Sequence, residues 1–295
     1  MGIEFGNKKI AMLSVAGRIH GARCAGYIVN PQGQGAIVPQ IGGISYNVPL
    51  GSSVYRFAAN HVEPGASVSH ENREDNDALC GLACIGNTAI VTSGDAKGAR
   101  GIVCGKHVSM EYRLYNLIVD FPQPVIEKLC VNDTILVKAY GQGLELKNPL
   151  ILAENIDPSL LEVMDITTGA DGRIHVPVAA TVPALLMGYK VGLRTSVFDY
   201  DIMTDDPALL EAQGLAGLRI GDVVLIKDFD ASYSAGVYEG AASVGVVVTG
   251  DSLRTGHGPG VVMILSSRQG QICAVPDKSA NLAKHFEILR KRRGA

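Results

Sequence analysis

The sequence has no tryptophan, and aromatic residues of any kind make up only 5% of its 295 positions. A long apolar run is also missing. The longest weakly polar stretch, residues 176–189, carries Pro177 and Pro183 and falls short of the roughly 20 residues a bilayer-spanning helix needs. Residues 1–9 are polar and charged where a signal peptide would be apolar. The balance of 26 basic against 29 acidic residues, a net charge of −3, lacks the basic excess of proteins built to hold nucleic acid or a membrane surface. The six cysteines follow no disulfide or zinc spacing, and Cys80 and Cys84 are separated by three residues rather than two. Together these absences predict a cytoplasmic protein with reduced, mostly buried thiols and no membrane partner.

Glycine is abundant, at 35 of 295 residues against an average near 7%, and the hydrophobic fraction is 47%. Short Val- and Ile-rich runs recur between Gly, Pro, Asn and Asp, at 36–41, 88–92, 101–104, 117–121, 134–139, 223–227, 243–249 and 261–265. Each is of strand length and ends on a turn signal. Their close spacing predicts a mostly β fold of two barrel-like halves, residues 1–150 and 151–295. Helices are few. Asp157-Pro158 and Asp206-Pro207 each place an acidic cap before a proline at the first helical position, and Gly214 suits the end of the second helix. A C-terminal helix is expected over 278–292, with its basic run at 290–293 as a solvated end facing the negative pole of the helix. The segment VNDTILVK at 131–138 is similar to IGDVVLIK at 220–227, each placing an Asp before a buried strand. That similarity suggests two related halves.

Several segments could carry chemistry. Residues 94–101 form a Gly-rich turn with Asp95, Lys97 and Arg100 between two strands, similar to the small-barrel hairpins of KOW-type proteins. Asp95 and the absence of flanking basic residues favour a structural hairpin over an RNA contact. His61 and Glu63 alternate onto one face of an extended segment and could bind one metal, with His257 in its Gly-rich loop as a further ligand. Asp95, His107 and Asp251 are the catalytic candidates, since His and carboxylate side chains on Gly-rich loops can approach a substrate closely. Lys97, Asp228, Asp230 and Tyr233 are the ligand-binding candidates, the last three following the strand at 223–227. No spacing rule unites these residues, and each His alone also reads as a hydrogen-bonded turn or core residue.

Taken in order, the segments at 94–107, 199–206, 220–228 and 250–260 resemble the bacterial "domain of unknown function 4438" family over most of the chain. That resemblance implies a bacterial cytosolic protein and no particular activity. Residues 62–68 and 239–251 are similar to short stretches of the acetamidase/formamidase family, whose members are metal-assisted amide hydrolases. Where that family has an Asp and a His, this chain has Val246, Val247 and Val248. Two functions therefore stay open. One is a hydrolase acting on a small amide-type molecule through a divalent metal. The other is a non-catalytic small-ligand-binding or scaffold protein that forms a homo-oligomer.

Overall fold

The structure, a computed structural model, describes all residues except 1, 8, 25, 31, 110–113, 189–196, 205, 234 and 295. In chain order the strands are β1 (Leu13–Ile19), β2 (Ile28–Val29), β3 (Gly35–Ala36), β4 (Ala66–Ser69), β5 (Thr88–Val91), β6 (Arg100–Ser109), β7 (Leu114–Asp120), β8 (Thr134–Ala139) and β9 (Leu152–Ala153). They continue with β10 (Thr167–Thr168), β11 (Ile174–Val178), β12 (Ala180–Pro183), β13 (Tyr200–Asp201), β14 (Val223–Asp230), β15 (Gly236–Val247), β16 (Gly260–Ser267) and β17 (Ile272–Pro276). The helices are α1 (Arg73–Leu82), α2 (Gln123–Ile126), α3 (Pro158–Leu161), α4 (Pro207–Ala212) and α5 (Leu282–Arg293). The protein is mostly β, with short helices and a C-terminal helix. Among the described residues no helix is long and apolar enough to cross a membrane.

The first half closes into a six-stranded barrel in the order β1-β4-β7-β6-β5-β8. Alternate side chains of β8 turn inward, so Ile135 and Val137 join Val68, Val91, Val103 and Leu117 in the barrel interior. Helix α1 lies against this barrel and buries Leu79 and Cys80 in the same core. The second half is an open sheet, β12-β14-β15-β16-β13, with β9 also paired to β16. A small sheet, β10-β11-β17, adjoins it.

The two halves share a core. Ile102, Cys104 and Ile118 on the outer wall of the barrel meet Val244, Val246, Val262 and Ile264 from one face of the sheet. The intervening Val247, Val261 and Met263 serve a third core on the opposite face. Strand β16 is therefore buried on both faces along its whole length, as its uninterrupted apolar run requires.

The similar turns before β8 and β14 are built alike. Asp133 Oδ2 accepts the Cys130 N–H and Asp222 Oδ2 accepts the Arg219 N–H, each at 2.8 Å, and the preceding Asn132 and Gly221 both have positive φ. Asp157 and Asp206 cap α3 and α4, and Gly214 follows α4 with φ +68°. The basic run ending α5 is a correction to the expected solvated terminus. Arg290 pairs with Asp120, and Arg293 pairs with Asp157 at 3.0 Å and donates to the Gly86 carbonyl at 2.7 Å. Two of the four cations thus fasten the C-terminal helix to the first half of the chain.

Candidate functional site

The seam between barrel and sheet gathers the histidines. The His61 ring centroid lies 5.3 Å from that of His107 and 5.6 Å from that of His257. Ligand atoms of His61, Asp201 and His257 all lie within 4.8 Å of one another, the spacing of a metal-binding group.

Each side chain is placed by a local device. His61 sits at φ +54°, a left-handed conformation that costs a non-glycine residue about 1 kcal/mol or more. Its N–H donates to the Asp251 carbonyl at 2.8 Å, which holds that conformation. His107 owes its direction to a β-bulge. The register between β6 and β7 shifts between Val103 and Gly105. Before the shift Val103 faces the barrel interior; after it Lys106 pairs with interior Leu117, and His107 pairs with Asn116. The bulge thereby turns His107 outward to the seam and Lys106 inward. Gly105 is required there, since an added Cβ would lie 2.7 Å from Val248 Cβ. His257 comes from the loop before β16, where Gly258 passes Ile202 so closely that a Cβ would fall 1.8 Å from its carbonyl oxygen.

Two couples result. In the first, Glu63 Oε1 meets His107 Nδ1 at 2.5 Å, and Glu63 Oε2 accepts from Ser67 Oγ and from Asn116 Nδ2. Burial alone would raise this carboxyl, but the His107 and Ser67 hydrogen bonds outweigh it and hold the group below its usual range. An ionised Glu63 assigns the proton at Nδ1 to His107 and leaves Nε2 as the nitrogen able to exchange one. In the second couple, His257 Nδ1 lies 3.0 Å from Asp201 Oδ2. His257 is 45% exposed, so the centre opens to solvent on that side. Between the couples, burial pushes His61 down to about 4, so it is neutral at pH 7 and able to ligate. Among the described residues its buried Nδ1 has no hydrogen-bond partner, a cost that a bound cation would relieve.

The expected residues divide sharply. His61, Glu63, His107 and His257 converge. Glu63 stands behind His107 rather than in the metal-spaced group, and Asp201 takes its place there. Asp251 supports the centre through its backbone, while its carboxylate accepts the Ser252 N–H. Asp95 and Lys97 do not join. They are exposed in the turn before β6, and Arg100 to His107 spans about 20 Å of strand. Asp228, Asp230 and Tyr233 lie at the far end of the sheet from the histidines, because β14 runs away from the seam. Asp228 has φ +59° and caps the Gly240 N–H, and Asp230 accepts from Ser232; both are turn builders. Tyr233 is 88% exposed. The thiols of Cys80 and Cys84 are buried and pushed up to about 12, which makes them packing groups. Asp199 and Asp201 carry the signal that could have found them, acidic residues two apart on an extended segment. Asp199 accepts the Val108 N–H at 3.1 Å and so locks the segment beside His107.

A search of curated proteins returned no match. A solved structure described as "Crystal structure of TM1086" superposes with a TM-score of 0.90 at 41% identity, covering 97% of this chain and 99% of that one. The family model "Domain of unknown function (DUF4438), N-terminal" matches residues 27–162, and its C-terminal counterpart matches residues 163–286. The seam that gathers the histidines joins these two matched regions, and the chain belongs to the DUF4438 family.

Proposed function

We propose that the seam is the active site of a metal-dependent hydrolase acting on a small polar molecule with an amide-type bond. The observation that carries this reading is the meeting of His61, Asp201 and His257 within 4.8 Å of one another, beside the Glu63–His107 couple. Two neutral-capable imidazoles and one carboxylate are a donor set suited to zinc or a similar divalent cation. Such a cation supplies a water of lowered pKa and polarises a carbonyl.

The chain's own groups account for the proton traffic. His107, oriented by Glu63, accepts the proton of the attacking water through Nε2 as the new C–O bond forms. When the C–N bond breaks, the same nitrogen returns the proton to the departing amine. Glu63 stays ionised throughout and stabilises the imidazolium. The likeness of residues 62–68 to part of the acetamidase/formamidase family supports the amide class, since Glu63 and Ser67 both lie in that segment. The valines at 246–248 are buried in the cores and offer no ligands, so any metal belongs to the seam instead.

A second reading rests on the Asp201–His257 hydrogen bond, which joins these two groups without a metal and suits a non-catalytic ligand site. Metal analysis of untagged protein prepared without chelator separates the two. The hydrolase reading expects about one equivalent of divalent metal per chain, lost in His61→Ala and Asp201→Asn, with amide turnover abolished in His107→Gln. Absence of bound metal after supplementation overturns it in favour of ligand binding alone.

A further inference from the structure

A second concavity lies at the mouth of the barrel, where β1, β4 and β6 end and β7 begins, near the start of α1. Its volume is about 880 Å³, within the range of ligand pockets. Arg18 at the end of β1, Arg23 in the following loop and Arg73 at the first turn of α1 all line it. None of the three guanidinium groups forms an ion pair or hydrogen bond with a described residue. Glu71 is the one carboxylate in the described lining. Two acids of α1 are paired with residues of the wall: Asp75 lies 3.6 Å from His70, and Asp77 accepts from Tyr115. His20 and His70 add imidazoles to the same wall. A chain of net charge −3 has therefore gathered around one cavity three arginines with no ion pair among the described residues.

We infer that this cavity is a binding site for a small polyanion, a molecule bearing a doubly charged oxyanion. Planar guanidinium groups match such oxygens two at a time. None of His61, His107 and His257 lines the cavity, although His20 in its wall lies within electrostatic reach of Glu63. Val108 and Phe198 face it, whereas the adjacent residues His107 and Asp199 turn to the seam. It therefore stands independently of the hydrolase reading.

The test is calorimetric titration of the full chain with pyrophosphate and, separately, with citrate, at constant ionic strength. At least one is expected to bind with a Kd below about 1 mM, and to weaken as salt is added. Pyrophosphate alone would identify a phosphoryl ligand, and citrate alone a polycarboxylate. Arg18→Gln with Arg73→Gln should weaken binding by about tenfold or more, because each removes charge-assisted hydrogen bonds. Arg23→Gln, on an exposed loop, gives a smaller loss and repeats the test should the pair not fold. His61→Ala should leave this binding unchanged, which excludes chelation at the seam as its source. The inference is overturned if neither anion binds at about 10 mM, or if a folded arginine variant binds as tightly as the parent.

Discussion

The histidine seam and the Gly-rich hairpin at residues 94–98 carry similar chemistry in the sequence and opposite fates in the structure. Both pair a charged residue with glycines at a strand end. At the seam, segments from both halves converge and buried polar side chains meet one another: Glu63 alone meets His107, Ser67 and Asn116. In the hairpin, Asp95 and Lys97 stand exposed with solvent as their partner. The residue types do not distinguish a convergent cluster from a solvated turn. The number of chain segments that pack around them does.

That contrast can be broken most directly at Glu63. Glu63→Ala removes a buried carboxylate and strands His107, Ser67 and Asn116 at once. Its expected cost is about 3–5 kcal/mol by urea denaturation, whereas Asp95→Ala should change stability by less than about 0.5 kcal/mol. Equal costs would mean that the seam is no more ordered than the hairpin.

The next effect is in pH. His61 is held near 4 in the folded protein, below its ordinary 6.5, because burial disfavours its charged form. The unfolded chain therefore binds the extra proton between these values while the folded chain does not. Stability from this group is complete above about pH 6.5 and is lost as pH falls towards 4, by about 3 kcal/mol in all. Urea denaturation across that range, with chelator present, should show the slope. His61→Asn, which tolerates the left-handed backbone, should flatten it. A parent protein with no slope would place His61 in water.

Much of the framework could be read from local pattern. Residues 134–139 are rich in Val and Ile and coincide with β8, and the Asp-Pro pairs mark the starts of α3 and α4. Strand β1 was not legible. Its LSVAGRI contains Gly17, whose place is fixed by α1, since a Cβ there would lie 2.8 Å from the Leu79 side chain. Helix α1 is polar over its first half, and beyond its Asn72 cap it is recognisable chiefly by what it buries. At the site, alternation suggests one shared face for His61 and Glu63, but the positive φ at His61 breaks the extended chain between them. His61 thus turns to Asp201 and His257, and Glu63 to His107. The bulge that re-aims His107 leaves only Gly105 as a trace, and its partner Val248 is distant in sequence. Arg290 and Arg293 look like a solvated helix end because Asp120 and Asp157 lie more than a hundred residues away.

The smallest effects sharpen the hairpin side of the comparison. Gly94 and Gly98 both have positive φ, +67° and +90°, so alanine at either is strained by about 1 kcal/mol. They differ in surroundings. A Cβ at Gly94 would meet Asp133 Oδ1 at 2.1 Å, while nothing lies within 4 Å of one at Gly98. Asp133 holds the turn into β8, so Gly94→Ala should cost about 2 kcal/mol and Gly98→Ala about 1 kcal/mol by thermal or urea denaturation. Lys97→Ala, between them and exposed, should fall within about 0.5 kcal/mol. If Lys97→Ala instead proved as costly as Gly94→Ala, the lysine would have a partner the hairpin does not provide. If Gly94 and Gly98 responded equally, Asp133 would be free to move aside, and the turn would draw its order from the strands rather than from the aspartate beneath it.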